Sequence, residues 1–93
     1  MLNQQQQQTI HDVATQHNLR RVGIFGSYAR GEAESSSDLD ILIDFDHKIN
    51  LLELVGLEQE LSDKLGVKVD LVTARSIHPT LRKHIYKDLI VLK

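Results

Sequence analysis

The sequence predicts a small α/β domain in which helices cover a mixed or parallel β-sheet. Two kinds of apolar periodicity support this fold class. Apolar and polar residues alternate over residues 38–45, as in a half-buried strand, whereas apolar residues recur at helical spacing over residues 50–65. The predicted order is helix, strand, short helix, strand, long helix, strand and helix, and this alternation places helices over a sheet.

The first third of the chain predicts a helix, a strand and a short second helix. The apolar face of the first helix, predicted over residues 3–17, consists of Ile10, Val13, Ala14 and His17. Residues 19–25 are largely apolar and stop at Gly26, which is typical of a strand. Residues 27–30 are predicted to form a short helix that Gly31 ends, because glycine commonly terminates helices.

The second strand is predicted over residues 38–45, with one apolar and one mostly acidic face. The apolar face consists of Leu39, Ile41, Ile43 and Phe45. The opposite face consists of Asp38, Asp40, Leu42 and Asp44. Since side chains two apart on a strand point the same way, the acids share one side of the predicted sheet.

The remaining elements are a long helix, a third strand and a last helix. Asn50 is predicted to cap the long helix, which runs to Leu65 and stops at Gly66. Its apolar stripe consists of Leu51, Leu54, Val55, Leu61 and Leu65. A third strand is predicted over residues 67–73, and a last helix over residues 80–88 follows Pro79.

Composition limits the possible classes of protein. The 93 residues are enough for one domain, residues 1–93, with a single core. The net charge of −2 gives no general attraction to nucleic acid or anionic membrane. The absence of cysteine excludes disulfides and thiolate sites, and no apolar segment has signal or spanning length. We therefore expect a cytoplasmic protein without membrane or direct nucleic-acid contacts.

Three aspartates form the strongest candidate site. Asp38 and Asp40 lie two apart on the second strand, so their Cα atoms should be roughly 6.6 Å apart on one face. Asp70 interrupts the otherwise apolar third strand. If the two strands are neighbours, the three carboxylates can gather around divalent cations, which would relieve their mutual repulsion.

Gly26 and Ser27 are the candidate phosphate-binding residues. They lie where the first strand turns into the short helix, so that backbone donors and a hydroxyl could hold the outer phosphates of a nucleotide. Arg30, one helical turn later, could bind phosphate or pair with a nearby acid, and the sequence does not decide between these.

Other polar residues are predicted to lie outside the site. Asp44 is roughly 13 Å from Asp40 along the strand, so it cannot share the same ions and, like Asp46, is read as a solvated strand end. Glu32 and Glu34 are expected to be exposed. The histidines lack metal-ligand spacing and are read as structural or surface residues: His11, His17, His47, His78 and His84.

The motif block resembles that of the nucleotidyltransferase superfamily related to DNA polymerase beta. The shared residues are Gly26-Ser27-x-x-Arg30-Gly31, Ser37-Asp38-x-Asp40 and the later Asp70. Small size and the string GSYARGEAESSSDLDILIDF are most similar to the minimal nucleotidyltransferases, the antitoxins of HEPN–MNT toxin–antitoxin pairs. The resemblance spans about residues 22–73.

This resemblance implies a Mg²⁺-dependent enzyme that transfers AMP from ATP to a hydroxyl and releases pyrophosphate. Two Mg²⁺ ions would be held by Asp38, Asp40 and Asp70, with Asp70 also helping to deprotonate the acceptor. The implied nucleotide-binding residues are Gly26, Ser27, Arg30 and Ser37. The implied partner is a HEPN ribonuclease toxin, modified on tyrosine.

Two other functions remain open from the sequence. The chain could neutralise its partner by binding alone, or it could modify a small molecule, although one domain leaves little surface for such an acceptor pocket. The first helix and the segment 81–92, with Ile85, Leu89 and Val91, are candidate partner surfaces, but amphipathic faces more often form core.

Overall fold

The computed structural model describes residues 2–93, which form four helices, one 3₁₀ turn and four strands. In chain order these are α1 (Gln4–Gln16), β1 (Arg21–Phe25), α2 (Gly26–Arg30), β2 (Leu39–Asp44), α3 (Leu51–Leu65), β3 (Val69–Thr73), the 3₁₀ turn (Ala74–Ser76), α4 (Pro79–Asp88) and β4 (Ile90–Val91). The predicted order of elements is confirmed, and the 3₁₀ turn and the two-residue β4 were not predicted.

The strands form one mixed sheet in the order β3-β2-β1-β4. β1 is antiparallel to both β2 and β4, whereas β2 and β3 are parallel and are joined by the crossover helix α3. A parallel pair needs such a long connection, while antiparallel strands do not. The sheet is therefore mixed, which is one of the two arrangements, mixed or parallel, that the sequence predicted.

One face of the sheet packs against α1 and α3, and we call it the helical face. Its residues on β1 and β2 are Val22, Ile24, Leu39, Ile41 and Ile43, all buried. The helices contribute Ile10, Val13, Ala14, Leu57, Leu61 and Leu65 to the same core. The predicted apolar alternation of β2 is confirmed, with Phe45 half-buried just beyond the strand.

Polar side chains and a glycine cap the ends of α1 and α3, and the predicted caps Asn50 and Gly66 are confirmed. The Asn3 side chain accepts from the Gln6 backbone N–H at the start of α1, and the Gln6 side chain accepts from the Asn3 N–H in return. The Asn50 side chain accepts from the Glu53 N–H at 2.8 Å and begins α3. Gly66 ends α3 in the left-handed region, with φ of 71°. Such caps satisfy backbone groups that a helix leaves unpaired.

The predicted apolar stripe of α3 was wrong at Leu51 and Val55, which are 75% and 58% exposed. The helix packs on the sheet through Leu57, Leu61 and Leu65, with Leu54 half-buried on the same side. Leu51 and Val55, four residues apart on the helix, line a shallow surface pocket beside Leu71 and Thr73 of β3 and stay largely exposed.

The predicted apolar position of His17 was also wrong, since His17 follows α1 as an exposed cap and its Nε2 lies 3.0 Å from Glu60 Oε1. In α1 the buried residues are Ile10, Val13 and Ala14. The first helix is therefore core, as the commoner interpretation of its amphipathic face held.

Two side chains of α3 accept hydrogen bonds from backbone N–H groups of the edge strand β3. Ser62 Oγ accepts from the Val69 N–H at 3.0 Å, and Glu58 Oε2 accepts from the Leu71 N–H at 3.1 Å. Unpaired edge donors invite pairing with another chain, so these bonds protect the edge. Over residues 2–93 no helix combines the length and apolarity that a bilayer crossing needs.

Candidate active site

The second face of the sheet carries the predicted acids, and we call it the acidic face. In the parallel register of β2 and β3, Asp40 is paired with Asp70. Paired residues on neighbouring strands project to the same side, here opposite the buried Leu39 and Ile41. The sequence analysis required β2 and β3 to be neighbours, and they are. Asp40 and Asp70, two of the three acids, therefore lie side by side.

Asp40 is the half-buried centre of this cluster. Burial raises the pKa of its carboxyl, and the charges of Asp70 and Asp38 raise the pKa further, while the charge of Arg30 lowers it. The Asp40 carboxyl therefore lies within electrostatic range of both Asp70 and Asp38. Additional positive charge at this point would favour the ionised cluster.

Asp38 lies just before β2 and is more exposed than Asp40. Its Oδ2 is 4.0 Å from Lys68 Nζ, a neighbour that the sequence analysis did not identify. Because Leu39 pairs with Val69, continuing the register by one residue brings Lys68 beside Asp38. The signal was therefore present in the sequence, but it required the strand register to be known.

The donor chemistry of the cluster fits a divalent cation such as Mg²⁺. Carboxylate oxygens are hard ligands, and the repulsion felt by Asp40 is the kind that such an ion relieves. In the present side-chain arrangement, no three acidic, histidine or cysteine side chains within residues 2–93 converge closely enough to hold a single ion. The assignment of Asp38, Asp40 and Asp70 as metal ligands stays a prediction.

Gly26 is required by the geometry of this site. Its φ of +73° lies in the left-handed region, and a Cβ atom at this position would overlap the Asp40 carboxylate. The pairing of Phe25 with Asp40 explains the close approach, since α2 begins directly after β1. Gly26 therefore lies immediately beside Asp40, and the half-buried Ser27 follows it in α2. Phosphate binding by Gly26 and Ser27 stays a prediction.

Arg30 forms ion pairs at the end of α2. Its Nε donates to Glu32 Oε2 at 3.1 Å, and its Nη1 donates to Asp88 Oδ2 at 2.9 Å. Of the two alternatives left open by the sequence, the structure contains the pair with acids, although neither acid belongs to the central cluster. The contact with Asp88 joins α2 to the end of α4. Phosphate binding by Arg30 stays a prediction.

Ser37 closes the loop that leads into β2. Its Oγ accepts from the Glu34 N–H at 2.9 Å, and its own N–H donates to the Glu34 carbonyl at 3.0 Å. This turn fixes where the chain enters β2 and therefore where Asp38 and Asp40 begin. A direct contact of Ser37 with nucleotide stays a prediction.

Asp44 is not the solvated strand end that the sequence suggested. Arg20 Nε donates to its Oδ2 at 3.1 Å, and hydrogen bonding from Arg20 is the main reason that the pKa of Asp44 is lowered. Asp46 is exposed as expected, and its Oδ1 lies 3.6 Å from His47 Nδ1. Among the histidines, His78 has a local structural role because its Nδ1 accepts from the Thr80 N–H at the start of α4.

A groove of about 180 Å³ lies further along the acidic face. Gly23 and Leu42 form its floor, and Tyr86 and Leu89 of α4 form one wall. A Cβ at Gly23 would collide with the Leu89 side chain, so this glycine lets α4 pack directly on β1. The groove begins two residues along β2 from Asp40.

A mixed sheet with paired carboxylates beside a glycine-serine turn is the arrangement expected of an enzyme that transfers nucleotidyl groups. Comparison with known proteins supports this class. Residues 7–93 match the family described as polymerase beta nucleotidyltransferases. The chain therefore belongs to the polymerase beta nucleotidyltransferase family.

Two relatives carry names that specify an activity. A protein of Methanocaldococcus jannaschii, provisionally named a protein adenylyltransferase, is 52% identical over 77 residues, which cover 82% of this chain and 79% of that relative. The protein adenylyltransferase MntA of Thermococcus cleftensis is 42% identical over 72 residues, which cover 77% and 73%. The predicted resemblance to minimal nucleotidyltransferases, and the prediction of an enzyme of this class, are confirmed.

A solved structure shares the fold. A chain in a crystal structure of a toxin–antitoxin complex with AMP-PNP superposes with a TM-score of 0.84 at 26% identity. The match covers 94% of this chain and 72% of that one. The predicted α/β nucleotidyltransferase core is thereby confirmed over nearly the whole sequence.

Proposed function

We propose that this chain is a Mg²⁺-dependent adenylyltransferase that moves AMP from ATP to a tyrosine hydroxyl of a HEPN ribonuclease toxin, and so acts as the antitoxin. The observation that carries the proposal is the pairing of Asp40 with Asp70 next to Gly26. The names of the two relatives and the toxin–antitoxin complex with AMP-PNP support the activity, the nucleotide and the kind of partner.

The reaction is an in-line displacement at the α-phosphorus of ATP. The acceptor oxygen forms a bond to that phosphorus, the bond to the oxygen bridging the α- and β-phosphates breaks, and pyrophosphate leaves. Asp70 takes the hydroxyl proton in this scheme. Gly26 and Ser27 orient the outer phosphates through backbone and hydroxyl donors, with Arg30 and Ser37 as further candidate contacts.

Two Mg²⁺ ions, when held by Asp38, Asp40 and Asp70, would stabilise charge on the attacking and leaving oxygens. The role of the protein is to hold the three carboxylates on one face of a rigid sheet. β-strands fix carboxylate positions well, because the backbone register leaves only side-chain rotations free.

The partner follows from the acceptor chemistry. Within residues 2–93 the groove beside Tyr86 is small, about 180 Å³, so the acceptor hydroxyl is best supplied by another protein's surface. A HEPN toxin in the same cytoplasm as the ATP supply meets this requirement.

The test compares Asp40→Asn with Asp46→Asn, which makes the same chemical change at an exposed acid outside the cluster. Each protein is incubated with ATP, Mg²⁺ and the HEPN protein encoded beside it, and the partner's intact mass is measured. We expect Asp46→Asn to add adenylate like the wild type. Asp40→Asn should lose on the order of 10²–10³-fold in rate, the usual loss when one charge-stabilising group is removed.

Two results would contradict the proposal. The first is a wild-type protein that adds no adenylate to the partner. The second is an Asp40→Asn protein that still protects cells from the toxin as well as the wild type, because neutralisation would then need binding alone. A cooperative thermal unfolding transition in both variants is the control for folding.

A further inference from the structure

The charges of this chain are divided between two regions. Residues 74–93 contain five of the 11 Lys and Arg residues but one of the 13 Asp and Glu residues, a net charge of +4. Residues 1–73 carry the remainder, a net charge of −6. An acidic protein therefore carries one strongly basic segment, and α4 is its centre.

The basic side chains of α4 lie together on its outer side, which we call the basic face. It consists of Arg82, Lys83, Tyr86 and Lys87. Tyr86 is four residues from Arg82 and three from Lys83, and Lys87 is four from Lys83, so these side chains adjoin one another on a helix. All four are exposed, and within residues 2–93 none of the three cations lies in an ion pair or a hydrogen bond. Tyr86, at 49% exposure, sits among them.

α4 is held only from its inner side. None of its residues is buried, and Ile85 is half-buried while Leu81 is 52% exposed. Ten residues are too few for a stable helix in isolation, so packing must supply most of its stability. An outer partner would add contacts that this helix lacks in the isolated chain.

The basic face lies next to the catalytic cluster. Asp88 at the end of α4 accepts from Arg30 at 2.9 Å, and Arg30 follows Gly26 and Ser27 in α2. Tyr86 and Leu89 also form a wall of the groove that begins two residues from Asp40. A protein seated on the basic face would therefore extend over the acidic face.

We propose that the basic face of α4 is the docking surface for an acidic, partly apolar patch on the protein that receives the AMP. This inference rests on the proposed function and specifies how its substrate is recognised. Unpaired cations around an exposed aromatic residue match the common interface pattern of an aromatic centre and a charged rim. Complementary charge raises the association rate and fixes orientation, here bringing a hydroxyl towards Asp70.

The charge pattern favours a protein over a nucleic acid. A nucleic-acid backbone needs a continuous basic track, whereas residues 1–73, which surround α4, carry a net charge of −6. A folded partner can present its negative charge to α4 alone and keep the area over the carboxylates neutral.

The test neutralises three charges in each of two variants. The first carries Arg82→Gln, Lys83→Gln and Lys87→Gln, which keeps good helix formers in α4. The matched control carries Arg20→Gln, Lys48→Gln and Lys64→Gln, the same change in net charge at residues that do not line the groove beside Tyr86. Binding to the intact HEPN partner is measured by titration calorimetry at low and high salt, and adenylate transfer at saturating partner.

We expect the α4 variant to raise the dissociation constant on the order of tenfold, to bind with weaker salt dependence, and to keep its transfer rate at saturation within about twofold. The control should bind like the wild type. Equal dissociation constants for the two variants would overturn the docking proposal. Binding of both variants to a labelled single-stranded RNA is also measured. An α4 variant that binds the HEPN partner like the wild type and loses only RNA binding would overturn the proposal as well. A wild type that binds the partner but transfers no adenylate would refute the proposed function instead, leaving docking to be judged from the dissociation constants.

Discussion

The two faces of the sheet use the same strands for opposite purposes. On the helical face, β2 contributes Leu39, Ile41 and Ile43, each with no exposed surface, packed against α1 and α3. On the acidic face, the alternate residue Asp40 is half-buried beside Asp70, with a raised pKa and repelling neighbours. One face gains stability from burial, whereas the other holds charges together at a cost in stability.

This contrast assigns different consequences to mutations that lie one residue apart. Changes on the helical face should alter the free energy of unfolding, because close-packed cores tolerate little loss of volume. Changes on the acidic face should alter catalysis with little effect on stability, as strained or repelling groups concentrate where function requires them. The predictions below test that separation.

The largest expected effect is on the helical face. Leu61→Ala removes a side chain of α3 that lies in the hydrophobic core and is 2% exposed. The change should lower the free energy of unfolding by about 2–5 kcal/mol. Leu52→Ala is the matched control on the same helix, because Leu52 is 81% exposed and should change stability by less than about 0.5 kcal/mol. Chemical denaturation measures both. Equal losses would show that α3 does not pack as described.

Gly26→Ala should mainly affect the acidic face. The added Cβ would overlap the Asp40 carboxylate, and displacement of a catalytic group by about 1 Å can cost on the order of 10²-fold in rate. The control is Gly31→Ala at the other end of α2, where φ is also positive, at +74°, but no atom lies within 4 Å of the new Cβ.

Both glycine variants should lose a similar stability, about 1–2 kcal/mol, for placing a side chain in the left-handed region. Only Gly26→Ala should lose adenylate transfer, measured at a temperature where both variants are folded. A Gly31→Ala protein with the same loss of activity would mean that backbone strain, and not the contact with Asp40, explains the requirement for glycine.

The smallest expected effect is the pH dependence of the Arg20–Asp44 pair. Since the pKa of Asp44 is lowered on folding, the pair stabilises the protein above the ordinary aspartate pKa, and this contribution is lost as pH falls through the lowered value. Arg20→Gln should cost about 0.5 kcal/mol at neutral pH, because the Arg20 side chain is more than half exposed. Thermal unfolding of both proteins should converge in acid, and a difference that persists there would exclude this ion pair as its source.

The sequence predicted the fold correctly where the burial of a residue follows from the pattern of residues next to it in sequence. The alternation over β2 gave the faces of the sheet correctly, and Asn50 and Gly66 marked the ends of α3. Leu51 and Val55 were misplaced because helical spacing does not reveal which apolar residues of a helix the sheet covers. The short β4 had no turn residue to separate it from α4.

The sequence predicted which acids are candidates for the site, but not what surrounds them. Asp38 and Asp40 were selected by their spacing of two and Asp70 by its position in an apolar strand, and the register of β2 and β3 pairs Asp40 with Asp70. The partners Lys68 and Asp88 were missed because both contacts join residues distant in sequence. Such contacts follow from the strand register and the packing of α4, neither of which local patterns contain.

The central claim is that Asp40 and Asp70 act together on one nucleotide beside Gly26. A crystal structure with Mn²⁺ and a non-hydrolysable ATP analogue tests it most directly, because Mn²⁺ can replace Mg²⁺ and gives an anomalous signal. We predict an anomalous peak between the carboxylates of Asp40 and Asp70, with the outer phosphates against Gly26 and Ser27. A nucleotide bound in the groove beneath Tyr86, with no metal at the two carboxylates, would contradict the account.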